Sequence, residues 1–141
     1  MSNSGGVRFA RVVYLVAGIV GLIEIVPLYF HESTLNRTQP PPITHPEFYY
    51  GFLGVTLAWQ VAFLVISRDP VRLRPLMPVS WIEKLLYPCA VAILHSAGRT
   101  HAEMVPAAML DLVWLALFIA SWITTRAQNK GIGKAGAEAP I

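Results

Sequence analysis

VRFARVVYLVAGIVGLIEIVPLYF, residues 7–30, carries two arginines near its start, one glutamate near its end and almost only apolar side chains between. No face of a helix built from it is polar. At 1.5 Å per residue it rises about 36 Å, enough to cross the roughly 30 Å hydrocarbon core of a bilayer. Three further runs of the same kind follow, at residues 48–67, 79–97 and 105–125. The expected fold is all-α: a four-transmembrane-helix bundle over residues 1–127, with a disordered Gly- and Ala-rich cytoplasmic tail at 128–141.

Composition agrees. Hydrophobic residues are 55% of the chain and charged residues 13%, with a mean hydropathy of +0.52. Four helices apolar all round leave too much apolar surface for a water-soluble globule of this size. The basic pI of 9.3 does not point to nucleic acid, because the basic residues flank the spans, where they set orientation. Arg8, Arg11, Arg68, Arg72, Arg74, Lys84, Arg126, Lys130 and Lys134 fall on one side; only Arg37 and Arg99, of eleven in all, fall opposite. Both termini are therefore expected in the cytoplasm, with the 31–47 and 98–104 connections outside. The first run is too long for a signal peptide, Glu24 interrupts it, and no small-x-small cleavage site follows, so it is a retained span.

Cys89 is the only cysteine. No intramolecular disulfide or dithiol relay can form, which excludes the quinone-linked disulfide oxidases. In the first outer connection, Gln39-Pro40-Pro41-Pro42 predicts an extended polyproline stretch, and Pro46 places the start of the second long helix near Glu47 or Phe48. Asn36-Arg37-Thr38 matches a glycosylation sequon, relevant only in a eukaryotic secretory pathway. Small residues on the first two spans (Ala17, Gly18, Gly21; Gly51, Gly54, Ala58) predict close helix contact. Pro27 and Pro88 each deprive a carbonyl one turn earlier of its helical donor.

The functional signal is the set of ionisable residues inside the spans, which are costly in hydrocarbon and functional by default. Glu24 lies six residues before Phe30, and Asp111 six residues after Val105 on a span running the opposite way. Both are about 9 Å from the outer face. All four histidines also fall toward that side: His31, His45, His95 and His101. The candidate ligand-binding residues are Glu24, Asp111, His95, His45, Glu47 and Trp114, with Trp114 and Phe118 as an apolar floor below Asp111. Three readings follow: carboxylates that brace the bundle, a pocket for an amphipathic molecule, or a histidine–carboxylate metal site. No HxxxH or ExxH pair lies on one helix, so neither a metal nor another cofactor is expected. A second cluster, Arg68, Asp69, Arg72, Arg74, Glu83 and Lys84, is placed at the cytoplasmic end, with Glu83 pairing an arginine.

The four-span layout and the stretch Arg68-Asp69-Pro70-Val71-Arg72-Leu73-Arg74-Pro75-Leu76, leading to Glu83-Lys84, resemble the small DoxX-like integral membrane proteins of bacteria. The resemblance implies an inner-membrane bundle, sometimes linked to quinone or sulfur metabolism, and brings no catalytic motif. The function expected is binding of a small hydrophobic or amphipathic ligand, lipid- or quinone-like, in an outward-facing intramembrane pocket. The alternatives are a non-catalytic accessory subunit of a larger membrane complex, and a small enzyme acting on a lipid or isoprenoid through paired carboxylates. The expected partners are membrane lipid or a hydrophobic small molecule, with other membrane subunits or a homo-oligomer as further possibilities and nucleic acid excluded.

Overall fold

A computed structural model describes residues 4–100 and 102–126; the expected tail at 128–141, and His101, lie outside the described residues. The helices are α1 (Ser4–Leu28), α2 (Glu32–Thr38), α3 (Pro46–Arg68), α4 (Met77–Ser96) and α5 (Val105–Thr124). Short 3₁₀ turns, Arg74–Leu76 and Ala102–Met104, lead into α4 and α5. Among the described residues, four helical segments are long and apolar enough to cross a membrane: Gly5–Leu28, Pro46–Arg68, Arg74–Ser96 and Met104–Thr124.

α1 packs extensively on α3 and α5, and α5 on α4. The order around the bundle is thus α3–α1–α5–α4, and the two outer members of that order make few close approaches to each other. Small residues allow the α1–α3 contact. A Cβ on Gly18 would lie 2.7 Å from Leu64 Cδ2, and one on Gly21 would collide with the Gln60 amide. The α3 side does not follow the expectation. Nothing lies within 4 Å of a Cβ on Gly51, and only the Tyr29 hydroxyl approaches Gly54. The residue crossing from α3 is Gln60, buried, its Nε2 donating to the Thr56 carbonyl at 3.1 Å.

The half of the bundle nearest the termini is sealed by aromatics. Tyr14 and Phe118 stack with centroids 4.3 Å apart, and Phe63 meets Phe118 edge-on at 5.0 Å. The Tyr14 hydroxyl would be stranded in such a core, but it is 2.9 Å from Ser80 Oγ, which in turn donates to the Met77 carbonyl at 2.7 Å. At this end Arg74 donates through Nε and Nη2 to the Trp122 carbonyl, at 3.3 and 3.0 Å, and its guanidinium lies 4.1 Å from the centre of the Trp122 ring. The same carbonyl accepts the Thr125 hydroxyl at 3.2 Å, and Arg74 ties the turn before α4 to the last turn of α5. Asp69 accepts the Arg72 N–H at 3.1 Å.

The long connection after α1 contains a helix that the sequence reading did not foresee, ahead of the Gln39–Pro42 stretch. Residues 32–38 form a helix, with Glu32 in its first turn and with Arg37 Nε and Thr38 Oγ1 donating to the Ser33 and Thr34 carbonyls. The prolines at 40–42 follow this helix rather than shape the whole connection. The sequon asparagine lies inside it, and Asn36 Oδ1 accepts the Ile43 N–H at 2.7 Å. Pro46 opens α3 at a position where its missing N–H costs nothing.

Candidate functional site

Where the aromatic seal stops, α1, α3, α4 and α5 part to enclose a cavity of about 970 Å³. Its walls are mostly apolar, and its ionisable members are Glu24, Glu83, Lys84, Asp111 and Tyr87. Phe52 and Val55 of α3, with Val79, Ile82 and Leu86 of α4, line it and are exposed on the bundle surface. The cavity therefore has apolar lips on the two helices that pack least against each other.

Lys84 organises the polar part. Its Nζ lies 3.0 Å from Asp111 Oδ1 on α5 and 3.3 Å from both carboxylate oxygens of Glu83. The lysine is only 7% exposed, and its ammonium sits 5.5 Å from the centre of the Phe63 ring. A charge this deep persists only with partners, and here two carboxylates and an aromatic ring supply them. Glu83 Oε2 is buried and, although at ion-pair distance from Lys84, lies outside hydrogen-bond geometry. Trp59 and Trp114 line the cavity next to the seal, each contacting a buried phenylalanine, Phe63 and Phe118 respectively.

Glu24 lines the same cavity from α1. It is exposed, and no hydrogen bond or ion pair to it occurs among the described residues. The end of α1 just beyond it is held in place. The Tyr49 hydroxyl donates to the Leu28 carbonyl at 2.7 Å and His31 Nδ1 to the Pro27 carbonyl at 2.6 Å, second bonds to carbonyls that also accept the His31 and Phe30 N–H groups at the end of the helix.

Of the six candidates from sequence, the structure brings Glu24, Asp111 and Trp114 to one cavity. It does not bring His45, Glu47 or His95. His45 and Glu47 pair with each other at 3.3 Å at the start of α3, with side chains 68% and 66% exposed; the lining residues of α3 begin a turn later, at Phe52. His95 shares a helix face with Lys84, but eleven residues separate them, about 16 Å along the axis. It is exposed in the last turn of α4 and does not line the cavity. Asp111 is ion-paired with Lys84 of α4, a partner that the depth of the two carboxylates did not suggest.

Glu83 and Lys84 require the largest correction. Sequence placed them with the basic turn, whereas they belong to the cavity and Glu83 pairs with Lys84 rather than with an arginine. α4 starts at Met77 behind its 3₁₀ turn, so both lie about 10 Å inside the helix, and the long lysine stem reaches further toward Asp111. A lysine seven residues past the start of an apolar helix was itself the available signal. Among the described residues no group of three or more His, Cys, Asp or Glu side chains is arranged to hold a metal ion.

The helices and their cavity define the class, a small membrane-spanning four-helix bundle. Within that class no family model matches the chain, and neither a curated protein nor a solved structure matches it.

Proposed function

We infer that the protein binds a small hydrophobic or amphipathic molecule, lipid- or quinone-like, between its helices within the membrane. The observation that carries this reading is the cavity of about 970 Å³, apolar over most of its wall and charged at one side. Its volume lies at the upper end of those that hold small ligands. The apolar lips on α3 and α4 suit a molecule that arrives from the bilayer rather than from water. Glu24, the cavity carboxylate with no partner among the described residues, is the group that meets the ligand's polar end. Lys84, Glu83 and Asp111 shape the wall beside it.

The orientation that goes with this reading puts both termini in the cytoplasm of a bacterium and the 31–45 connection outside the inner membrane. Without Lys84, which lies inside a helix, eight basic residues still stand against two. The pocket then reaches across the middle of the membrane, from Val79 toward the cytoplasmic end of α4 to Pro106 at the outer end of α5. In the wider sense of the DoxX-like resemblance, such a protein handles a membrane-soluble small molecule.

The test is extraction of purified protein followed by mass spectrometry of the small molecules released. A specific amphiphile at about one per chain supports binding, and its loss in Glu24→Gln at unchanged thermal stability supports the site. Wild-type protein that carries only bulk membrane lipid, in unchanged amounts in Glu24→Gln, contradicts both. One observation favours an accessory subunit instead: the Lys84–Asp111 pair uses a buried charge to join α4 to α5. On that reading Glu24→Gln is silent and the protein copurifies with a larger membrane complex.

A further inference from the structure

The charge of the cavity narrows the ligand class, an inference that rests on the binding reading above. Three carboxylates, Glu24, Glu83 and Asp111, and one ammonium, Lys84, are its fully charged side chains, so 3 − 1 leaves an excess of two negative charges when all are ionised. The lysine is not available to an incoming anion. Two of the carboxylates already hold it at 3.0 and 3.3 Å, and it is almost wholly buried. With both carboxylates ionised, Lys84, Glu83 and Asp111 together are net negative, and Glu24 adds a further charge that has no ion-pair partner among the described residues. Opposite charge is favoured in such a place and like charge disfavoured, more strongly than in water because the surroundings polarise less. Trp59, Tyr87 and Trp114 line the same space, and aromatic rings attract cations while offering nothing comparable to an anion.

We propose that the cavity selects cationic amphiphiles: an amine, quaternary ammonium or similar lipophilic cation whose charge sits against Glu24 and whose apolar part lies between α3 and α4. Phe52, Val55, Val79, Ile82 and Leu86 supply the apolar surface for that part. Fatty acids, lipid phosphates and other amphiphilic anions are excluded by the same charge balance. The apolar walls alone would accept either sign, so selectivity comes from Glu24 and the over-neutralised lysine.

Tetraphenylphosphonium and tetraphenylborate have nearly the same size and shape and opposite charge, which isolates the sign. Isothermal titration of the purified full chain in dodecyl maltoside, with blank micelles subtracted, gives both affinities. Wild-type protein is expected to bind tetraphenylphosphonium at about one per chain and tetraphenylborate at least about tenfold more weakly. Glu24→Gln should weaken tetraphenylphosphonium binding about tenfold or more, a usual scale for losing a charged partner. Glu24→Asp should retain most of it, and Glu103→Gln, in the connection before α5, should bind as wild type does. Equal affinity for the two ions, or Glu24→Gln binding tetraphenylphosphonium unchanged, overturns cation selectivity and leaves the cavity as a site indifferent to charge. Saturable binding of neither ion overturns the binding reading as well. The two-ion comparison on wild-type protein decides the matter even if a Glu24 variant fails to fold.

Discussion

Replacing Lys84 by Met keeps the length and most of the volume of the side chain but removes its ammonium, the one positive charge lining the cavity among the described residues. Asp111 Oδ1 loses its ion partner at 3.0 Å, and Glu83 loses its contact at 3.3 Å. The carboxylates are only 19% and 15% exposed, so water replaces little of what is lost. Breaking a buried pair from one side costs about 3–5 kcal/mol, because it strands a desolvated charge. Replacing both partners by uncharged groups of similar size costs far less. The single variant Lys84→Met should therefore lose about 3 kcal/mol or more, and the double variant Lys84→Met with Asp111→Asn should regain part of it. The assay is equilibrium unfolding of all four cycle members by SDS in mixed micelles, followed by tryptophan fluorescence. Coupling between positions 84 and 111 of about 1 kcal/mol or more is expected. Wild-type stability in Lys84→Met, or strictly additive single effects, would refute the placement of Lys84 as the clamp between α4 and α5.

At the α1–α3 contact, Gly21→Val should destabilise by about 1–3 kcal/mol, since a Cβ there meets the Gln60 amide; Gly51→Ala, with open space around it, should be neutral or slightly stabilising, and the same SDS titration reads both. Arg74→Ala should cost about 1–2 kcal/mol, losing both bonds to the Trp122 carbonyl and the ring contact. A wild-type midpoint for that variant would mean the turn before α4 is held by other groups. Orientation is checked in a Cys89→Ser background, where Pro40→Cys should be labelled by a membrane-impermeant maleimide in intact cells and Gly131→Cys only after lysis. The reverse pattern would invert the topology.

The architecture was legible because length and apolar content fix membrane helices without any tertiary information. That holds for α1, whose run needs no partner to be recognised. The site was legible in part. Glu24 and Asp111 stood out as carboxylates inside apolar runs, and depth counted along the helices put them at one level. Depth alone does not tell which side chains meet. Lys84 lies near the boundary between a basic turn and a span, and its side chain is long enough to satisfy either assignment; the 3₁₀ turn that draws the start of α4 back to Met77 settles it inside. The histidines were attractive by residue type, but His45 and His95 are exposed and do not line the cavity. Gln60 was invisible as a packing residue, because its role depends on the two glycines of α1 opposite it.

Filling the cavity without touching its charges tests the account most directly. Ala107 lines it and is exposed to it, so Ala107→Trp puts bulk into the cavity and leaves Glu24, Glu83, Lys84 and Asp111 unchanged. Native mass spectrometry of the protein released from lipid nanodiscs compares this variant with wild type. The account predicts a discrete small-molecule adduct on wild type that is absent from Ala107→Trp, with the two proteins equally stable to heat. An adduct of the same mass and occupancy on both would contradict it.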